Sequence, residues 1–136
     1  MSETQLFLPV ILQIVLTLLL YLLLGVRKSR AIRDGQVDQA RRALHADAWP
    51  DSVQQVNNSI RSQFEIPVLY YVLTLILWQL GSSGVITQSL AWLFVISRYV
   101  HAYVHTGSNY VPLRRRVFTL GTVIVAILAV RVLFAL

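Results

Sequence analysis

The sequence predicts an all-α integral membrane protein folded as a single four-helix bundle, and three observations carry that expectation. Of 136 residues, 56% are hydrophobic and only 13% charged, with a mean hydropathy of +0.62, which is too apolar for an ordinary soluble domain. Four apolar runs, at about residues 6–26, 64–80, 85–104 and 117–136, approach the roughly 20 residues that a helix needs to cross a bilayer. The basic residues concentrate in alternate connections between those runs. Four crossings leave no room for a separate soluble catalytic domain, so residues 1–136 read as one transmembrane unit.

Leu6 to Val26 is nearly continuous apolar sequence, interrupted by Pro9 in its first turn and by Gln13 and Thr17, and reads as the first transmembrane helix. Glu3 precedes it and Arg27, Lys28 and Arg30 follow it, the reverse of the flanks of a cleaved signal peptide. The polar stretch from Arg27 to Ala48 closes on Trp49 and Pro50 at an expected membrane-water boundary. Ser52 with Gln55 three residues later is a capping-box pattern. A second helix should start there with its first turns at or above the headgroups, turn apolar at Phe64, bend near Pro67 and end at Leu80. Gly81, Ser82, Ser83 and Gly84 then make a tight turn into the third helix, Val85 to Val104, and Pro112 is placed as the first-turn proline of the fourth. Short later loops make the neighbours antiparallel.

Arg27, Lys28, Arg30, Arg33, Arg41 and Arg42 follow the first crossing, and Arg114, Arg115 and Arg116 follow the third. The positive-inside rule puts both groups in the cytoplasm and both termini, with the Gly81–Gly84 turn, on the other side. Arg131, near the far end of the last helix, is expected to snorkel outward. The net charge of +6, twelve Lys and Arg against six Asp and Glu, is clustered instead of spread along one solvent-exposed face, so no nucleic-acid partner is expected. Zero cysteines exclude disulfides, thiolate metal sites, iron-sulfur clusters and a cysteine nucleophile. Any thiol chemistry must use a thiol brought by a ligand.

Asn58, Arg61, Ser62 and Glu65 are spaced i, i+3, i+4, i+7, on one stripe of the second helix. Spacing alone fits an Arg61–Glu65 surface pair equally well. Glu65, however, stands just before Pro67 and an apolar run, where an ionised carboxylate is not left facing lipid. On the third helix Arg98, His101 and His105 repeat the device at i, i+3, i+7, and Arg98 lies about 9 Å inside the Val104 end. An arginine that deep needs a partner; Glu65 across the two helices is the candidate, and snorkelling to the headgroups is the alternative. Two histidines at i, i+4 without an evident third ligand do not make a metal site. Tyr70, Tyr71, Tyr99, Tyr103 and Tyr110 cluster toward the same side, as an interfacial belt or a pocket wall. Arg114, Arg115 and Arg116 follow Pro112 in the first turns of the fourth helix, where backbone N–H groups and guanidinium charge converge as a candidate anion site. Arg116 should face about 200° away from Arg114.

Two stretches carry a resemblance. Asn57 to Tyr71 has Arg61, Ser62, Gln63, Phe64, Glu65, Ile66 and Pro67 at its centre, and Arg98 to Arg114 has Arg98, His101, His105, Pro112 and Arg114 as marked positions. They resemble the membrane-associated proteins in eicosanoid and glutathione metabolism, the MAPEG family. The resemblance implies a bacterial-type inner-membrane homotrimer of four-helix protomers, with glutathione as co-substrate bound between neighbouring subunits near the cytoplasmic side. Arg61, Glu65, Arg98 and His101 match positions lining the glutathione site, and Arg114 matches the catalytic arginine that holds the thiolate. Arg27 is a looser match for an arginine after the first crossing, with Arg30 as the alternative. Asn58 stands where those relatives carry an arginine, Ser62 where they carry an asparagine and His105 where they carry a tyrosine, so the glutathione contacts of Asn58 and His105 differ from theirs. Arg115 takes the place of a serine in the prostaglandin E synthase branch, so a prostaglandin isomerase is not implied.

Residue chemistry agrees with that implication. A tripeptide with two carboxylates, an amine and a thiol wants several arginines, a carboxylate, and a cation to lower the thiol pKa. The expected function is a glutathione-dependent transferase or peroxidase acting on lipophilic electrophiles or lipid hydroperoxides, with membrane lipid as its surroundings. Two other readings remain open. One is a small proton-coupled transporter using Glu65, disfavoured by the uncharged first crossing. The other is a non-catalytic protein that binds lipid or assembles with a partner.

Overall fold

A computed structural model describes residues 2–136. Its helices are α1 (Phe7–Arg33), α2 (Asp51–Gln63), α3 (Ile66–Gln79), α4 (Val85–Thr106) and α5 (Val111–Ala135), with short 3₁₀ turns at Glu3–Leu6 and Ala46–Ala48. Because α3 continues from α2 across a two-residue break, the five helices make a bundle of four rods. No strand occurs among the described residues.

α1 runs seven residues past Val26, about 10 Å of helix, and stops where Gly35 takes a left-handed φ of 69°, the usual device for ending a helix. α2 begins at Asp51 behind Pro50, which is extended at φ −67°, ψ 163°. The expected capping box is not formed, because Ser52 already lies inside the first turn and caps nothing; Gln54 Nε2 instead donates to Trp49 O at 2.8 Å.

Pro67 does more than bend the second rod. It brings no N–H to the carbonyl of Gln63, and its ring disfavours helical geometry at Ile66 and crowds the preceding turn. The chain leaves the helix at Phe64 and Glu65, where Glu65 has φ −99°, ψ −105°, and restarts with Pro67 in the first turn of α3.

α2 also sits differently from the sequence expectation. Val53, Val56 and Ile60 are buried, and Val56 and Ile60 pack with Leu16 and Leu20 of α1 and Ala102 of α4. Most of α2 therefore lies beside the first apolar run, not ahead of it. An apolar stripe at i, i+3, i+7 on an otherwise polar helix allows this, since the polar face can turn away.

Three helical segments are long and apolar enough to cross a membrane: Glu3–Arg33, Asp51–Gln79 and Val111–Ala135. α4 has the length, 22 residues, but carries buried Thr87, Gln88, Ser97, Arg98 and His101. It packs against every other rod, so its polar positions are sheltered by protein. A core of Leu6, Val10, Tyr70, Leu77, Phe94, Ile124 and Leu128 joins α1, α3, α4 and α5, with the Tyr70 and Phe94 rings stacked at 4.3 Å. α4 and α5 meet closely at Gly121, where a Cβ would stand 3.3 Å from Ser97 Oγ and 3.6 Å from the Phe94 ring.

Candidate functional site

The polar stripe of α2 and the first turns of α5 face each other across the end of α4. The cleft between them has a volume of about 550 Å³ and is lined by Asn58, Arg61, Ser62 and Glu65, by His101 and His105, and by Val111, Arg114, Arg115 and Phe118. Three arginines against one glutamate give the lining a net positive charge. Eight residues singled out from the sequence meet here: Asn58, Arg61, Ser62, Glu65, His101, His105, Arg114 and Arg115.

Arg114 is fixed by the turn before its helix. Asn109 adopts a left-handed φ of 53°, a conformation asparagine tolerates better than other side chains, and its N–H donates to Val104 O at 2.7 Å. That turn brings Asn109 Oδ1 round to accept from Arg114 Nη1. The guanidinium is thus held at the N-terminal end of α5, where the helix dipole adds positive potential. His101 and His105 meet edge to face at 5.3 Å, and His101 lies 5.9 Å from the Phe118 ring. Nδ1 of each is buried without a protein partner. Among the described residues no group of three or more His, Asp or Glu side chains could hold a metal ion.

Arg98 and Arg27 stand outside the lining. Arg98 is 2% exposed, and its acceptor is not Glu65: Nη2 donates to Ser62 Oγ at 2.8 Å, while Nε is buried without a partner. The expected Glu65–Arg98 ion pair is corrected here, as is the Arg61–Glu65 surface pair. The ion pairs among the described residues are Arg33–Asp34, Arg41–Asp38 and Arg41–Asp47. The reason is the break, which turns the chain two residues before Glu65 and leaves Ser62 as the polar group nearest Arg98. Arg27 is committed to its own chain, donating to Ser52 O at 2.8 Å and Thr106 O at 2.7 Å. It ties the end of α1 to the start of α2 and the end of α4.

None of the five tyrosines lines the cleft. Tyr70 is in the core, Tyr99 donates to Leu12 O at 2.7 Å, and Tyr103 and Tyr110 face outward. Arg116 is exposed and outside the lining. Arg131, expected to snorkel, instead lies along α4 with Nε 3.1 Å from Thr87 Oγ1. Sequence reasoning missed Asn109, and the resemblance gave Arg115, which lines the cleft, no glutathione contact. A Gly-Ser-Asn run ahead of Pro112 signals a turn, and from that turn Asn109 could have been linked to Arg114.

Directly below the cleft lies an apolar groove between α3 and α5, about 450 Å³, lined by Ile66, Leu69, Val72, Leu73, Thr122, Val125, Ala126 and Ala129. Ile66 follows Glu65 in the chain and Thr122 is one helical turn beyond Phe118, so each wall of the groove adjoins a wall of the cleft.

No curated protein and no solved structure matches the chain. The sequence model of the MAPEG family matches residues 6–134, which takes in all four rods, the cleft and the groove, and the chain therefore belongs to the MAPEG family.

Proposed function

We propose that the protein is a membrane-bound glutathione-dependent transferase or peroxidase, working on lipophilic electrophiles or lipid hydroperoxides. The observation that carries this reading is a cationic cleft followed by an apolar groove along the same two rods, α2 with α3 and α5. A peptide thiol with two carboxylates suits the first and a lipid-soluble substrate suits the second. In this reading Arg61 holds a carboxylate, Glu65 accepts the amine, Asn58 bonds a peptide amide, and Arg114 stabilises the thiolate. Arg98 acts from behind, by fixing Ser62. His101 and His105 line the same cleft and can each turn a ring N–H toward the anion.

For conjugation, the thiolate sulfur attacks an electrophilic carbon, a C–S bond forms, and the electron pair leaves with the departing group or is protonated by water. For peroxide reduction, sulfur attacks the terminal peroxide oxygen, the O–O bond breaks, and the alcohol departs with a proton from water. A second glutathione then reduces the sulfenic acid to give disulfide and water.

The cleft opens to the outside of one protomer, since Asn58, Arg61 and Glu65 are exposed. A homotrimer would cover it. With Arg27 spent on carbonyls of its own chain, Arg30 is the better candidate to reach a neighbour's cleft: its side chain has no partner among the described residues, and it borders an open groove on α1 with Tyr21, Gly25, Ser29 and Arg33. Bacterial inner-membrane residence, with the cleft on the cytoplasmic side, belongs to the same proposal and follows the distribution of arginines.

The deciding experiment is stopped-flow mixing of the purified protein with glutathione, following proton release and thiolate absorbance. Release in proportion to protein, followed by decay on adding a lipophilic electrophile, is expected. Binding without proton release would favour a non-catalytic role, and no binding would refute the proposal.

A further inference from the structure

Gln13 is the one amide side chain in the apolar run Leu6 to Val26, where lipid offers it no partner and burial without one is costly. Its partner is Gln63. Gln13 Nε2 donates to Gln63 Oε1 at 2.8 Å, both residues being essentially inaccessible, at 0% and 1%. Gln63 Nε2 donates in turn to Ser59 O at 3.2 Å. Packing alone does not account for Gln13, because its Oε1 is buried with nothing to accept from, and an apolar residue would avoid that cost.

What distinguishes this pair is where it falls. Gln63 is the last residue of α2, and Pro67 supplies no N–H to its carbonyl, so the α-helical ladder ends there and the chain is held only by two i→i+3 bonds, Phe64 N–H to Arg61 O at 3.1 Å and Glu65 N–H to Ser62 O at 3.3 Å. One residue earlier, Ser62 Oγ accepts from Arg98 of α4. Two helices thus grip successive residues, 62 from α4 and 63 from α1, just before the break. The gripping helices are themselves joined at the same level, where Tyr99 of α4 donates to the carbonyl of Leu12. Two residues beyond Gln63 comes Glu65, on the wall of the cleft.

We infer that Gln13, which lies outside the cleft, is a positioning residue for Glu65: through Gln63 it sets the direction in which the chain leaves α2, and with it the place of the Glu65 carboxylate. The role in glutathione binding rests on the reading of Glu65 as the contact for the amine; the grip on the break does not. Arg114 hangs from Asn109 on a different element, so the thiolate end of the ligand is outside Gln13's reach.

The test uses Gln13→Met, which keeps length and removes the donor. Amide exchange at Phe64, Glu65, Ile66 and Val68 should quicken about five- to tenfold, as expected for one lost hydrogen bond, with the first turn of α5 unaffected. Glutathione should bind about five- to tenfold more weakly, with the titration of its bound thiol unmoved. In a Glu65→Gln background Gln13→Met should cost no further affinity. The Gln13→Met, Gln63→Met double variant separates positioning from packing. It removes the stranded acceptor, so stability should recover while affinity does not. Recovery of both, or no change in exchange at those amides, would overturn the inference. If the wild type binds no glutathione, the functional reading falls and the exchange result alone decides whether Gln13 governs the break.

Discussion

Arg114→Ala isolates the step on which the chemistry depends. A thiolate brought to about 4 Å from a guanidinium gains about 1 kcal/mol in water and about 4 kcal/mol at the effective dielectric of a partly covered site. The N-terminal end of α5 adds about 0.5 kcal/mol. At 1.36 kcal/mol per unit, this brings an ordinary thiol of pKa about 8.5 down by about one to three units. Arg61 and Arg115 share the cleft and remain in the variant, so Arg114→Ala should return about one to two of those units. Glutathione binding itself should weaken less than the thiolate fraction at pH 7, because Arg61 and Glu65 are untouched. Asn109→Gly is the finer probe. Glycine suits φ 53° at little cost in stability but removes the oxygen that orients the guanidinium, so the thiol pKa should rise by less than about one unit. The assay is ultraviolet titration of bound glutathione between pH 5 and 9 in wild type, Arg114→Ala, Asn109→Gly and Arg116→Ala. A shift in Arg116→Ala as large as in Arg114→Ala, or none in either, would refute the assignment of Arg114.

Three further outcomes follow from particular contacts. Ser62→Ala strands a buried Arg98 Nη2 and should destabilise the detergent-solubilised protein by about 1.5–3 kcal/mol, whereas Arg98→Met removes the charge and strands only a hydroxyl, costing under about 1.5 kcal/mol; the reverse order in unfolding titrations would restore the Glu65–Arg98 pairing. A cysteine at Ser82 should react with a membrane-impermeant reagent from outside intact cells and one at Ser108 should not, and labelling at 108 from outside would put the cleft in the wrong compartment. In the α1–α2 connection, a hydrogen bond from Arg41, at 3.0 Å from both Asp47 carboxylate oxygens, holds the Asp47 carboxyl below the usual carboxylate range. A depressed pKa contributes order above the unfolded value and loses it as pH falls through the folded one. Amide exchange around Asp47 should therefore quicken below about pH 4; quickening between pH 5 and 7 would contradict the contact.

What the sequence made legible was the membership of the cleft, because its chemistry is written at helical spacing. Asn58, Arg61 and Ser62 on α2 and His101 and His105 on α4 share faces whatever the bundle does, and apolar runs of crossing length delimit the rods. What it hid was who bonds to whom. Spacing names a face, but a partner depends on how far one rod slides along the next, and here the slide is set by Val56 and Ile60 of α2 seating on Leu16 and Leu20 of α1. That register gives Arg27 the carbonyls of Ser52 and Thr106 and gives Gln63 to Gln13. The break at Phe64 and Glu65 then decides the rest. A straight second rod would have kept Glu65 on the stripe of Ser62 and within the reach expected for Arg98, and Pro67 removes that geometry. A lone glutamine in an apolar run has no period to be read from, so its partner becomes visible only where two helices are already docked. For the same reason spacing does not separate Arg27 from Arg30, which stand three residues apart on one helix: only the docking of α2 and α4 against α1 bonds Arg27 to Ser52 O and Thr106 O and leaves Arg30 without a side-chain partner among the described residues.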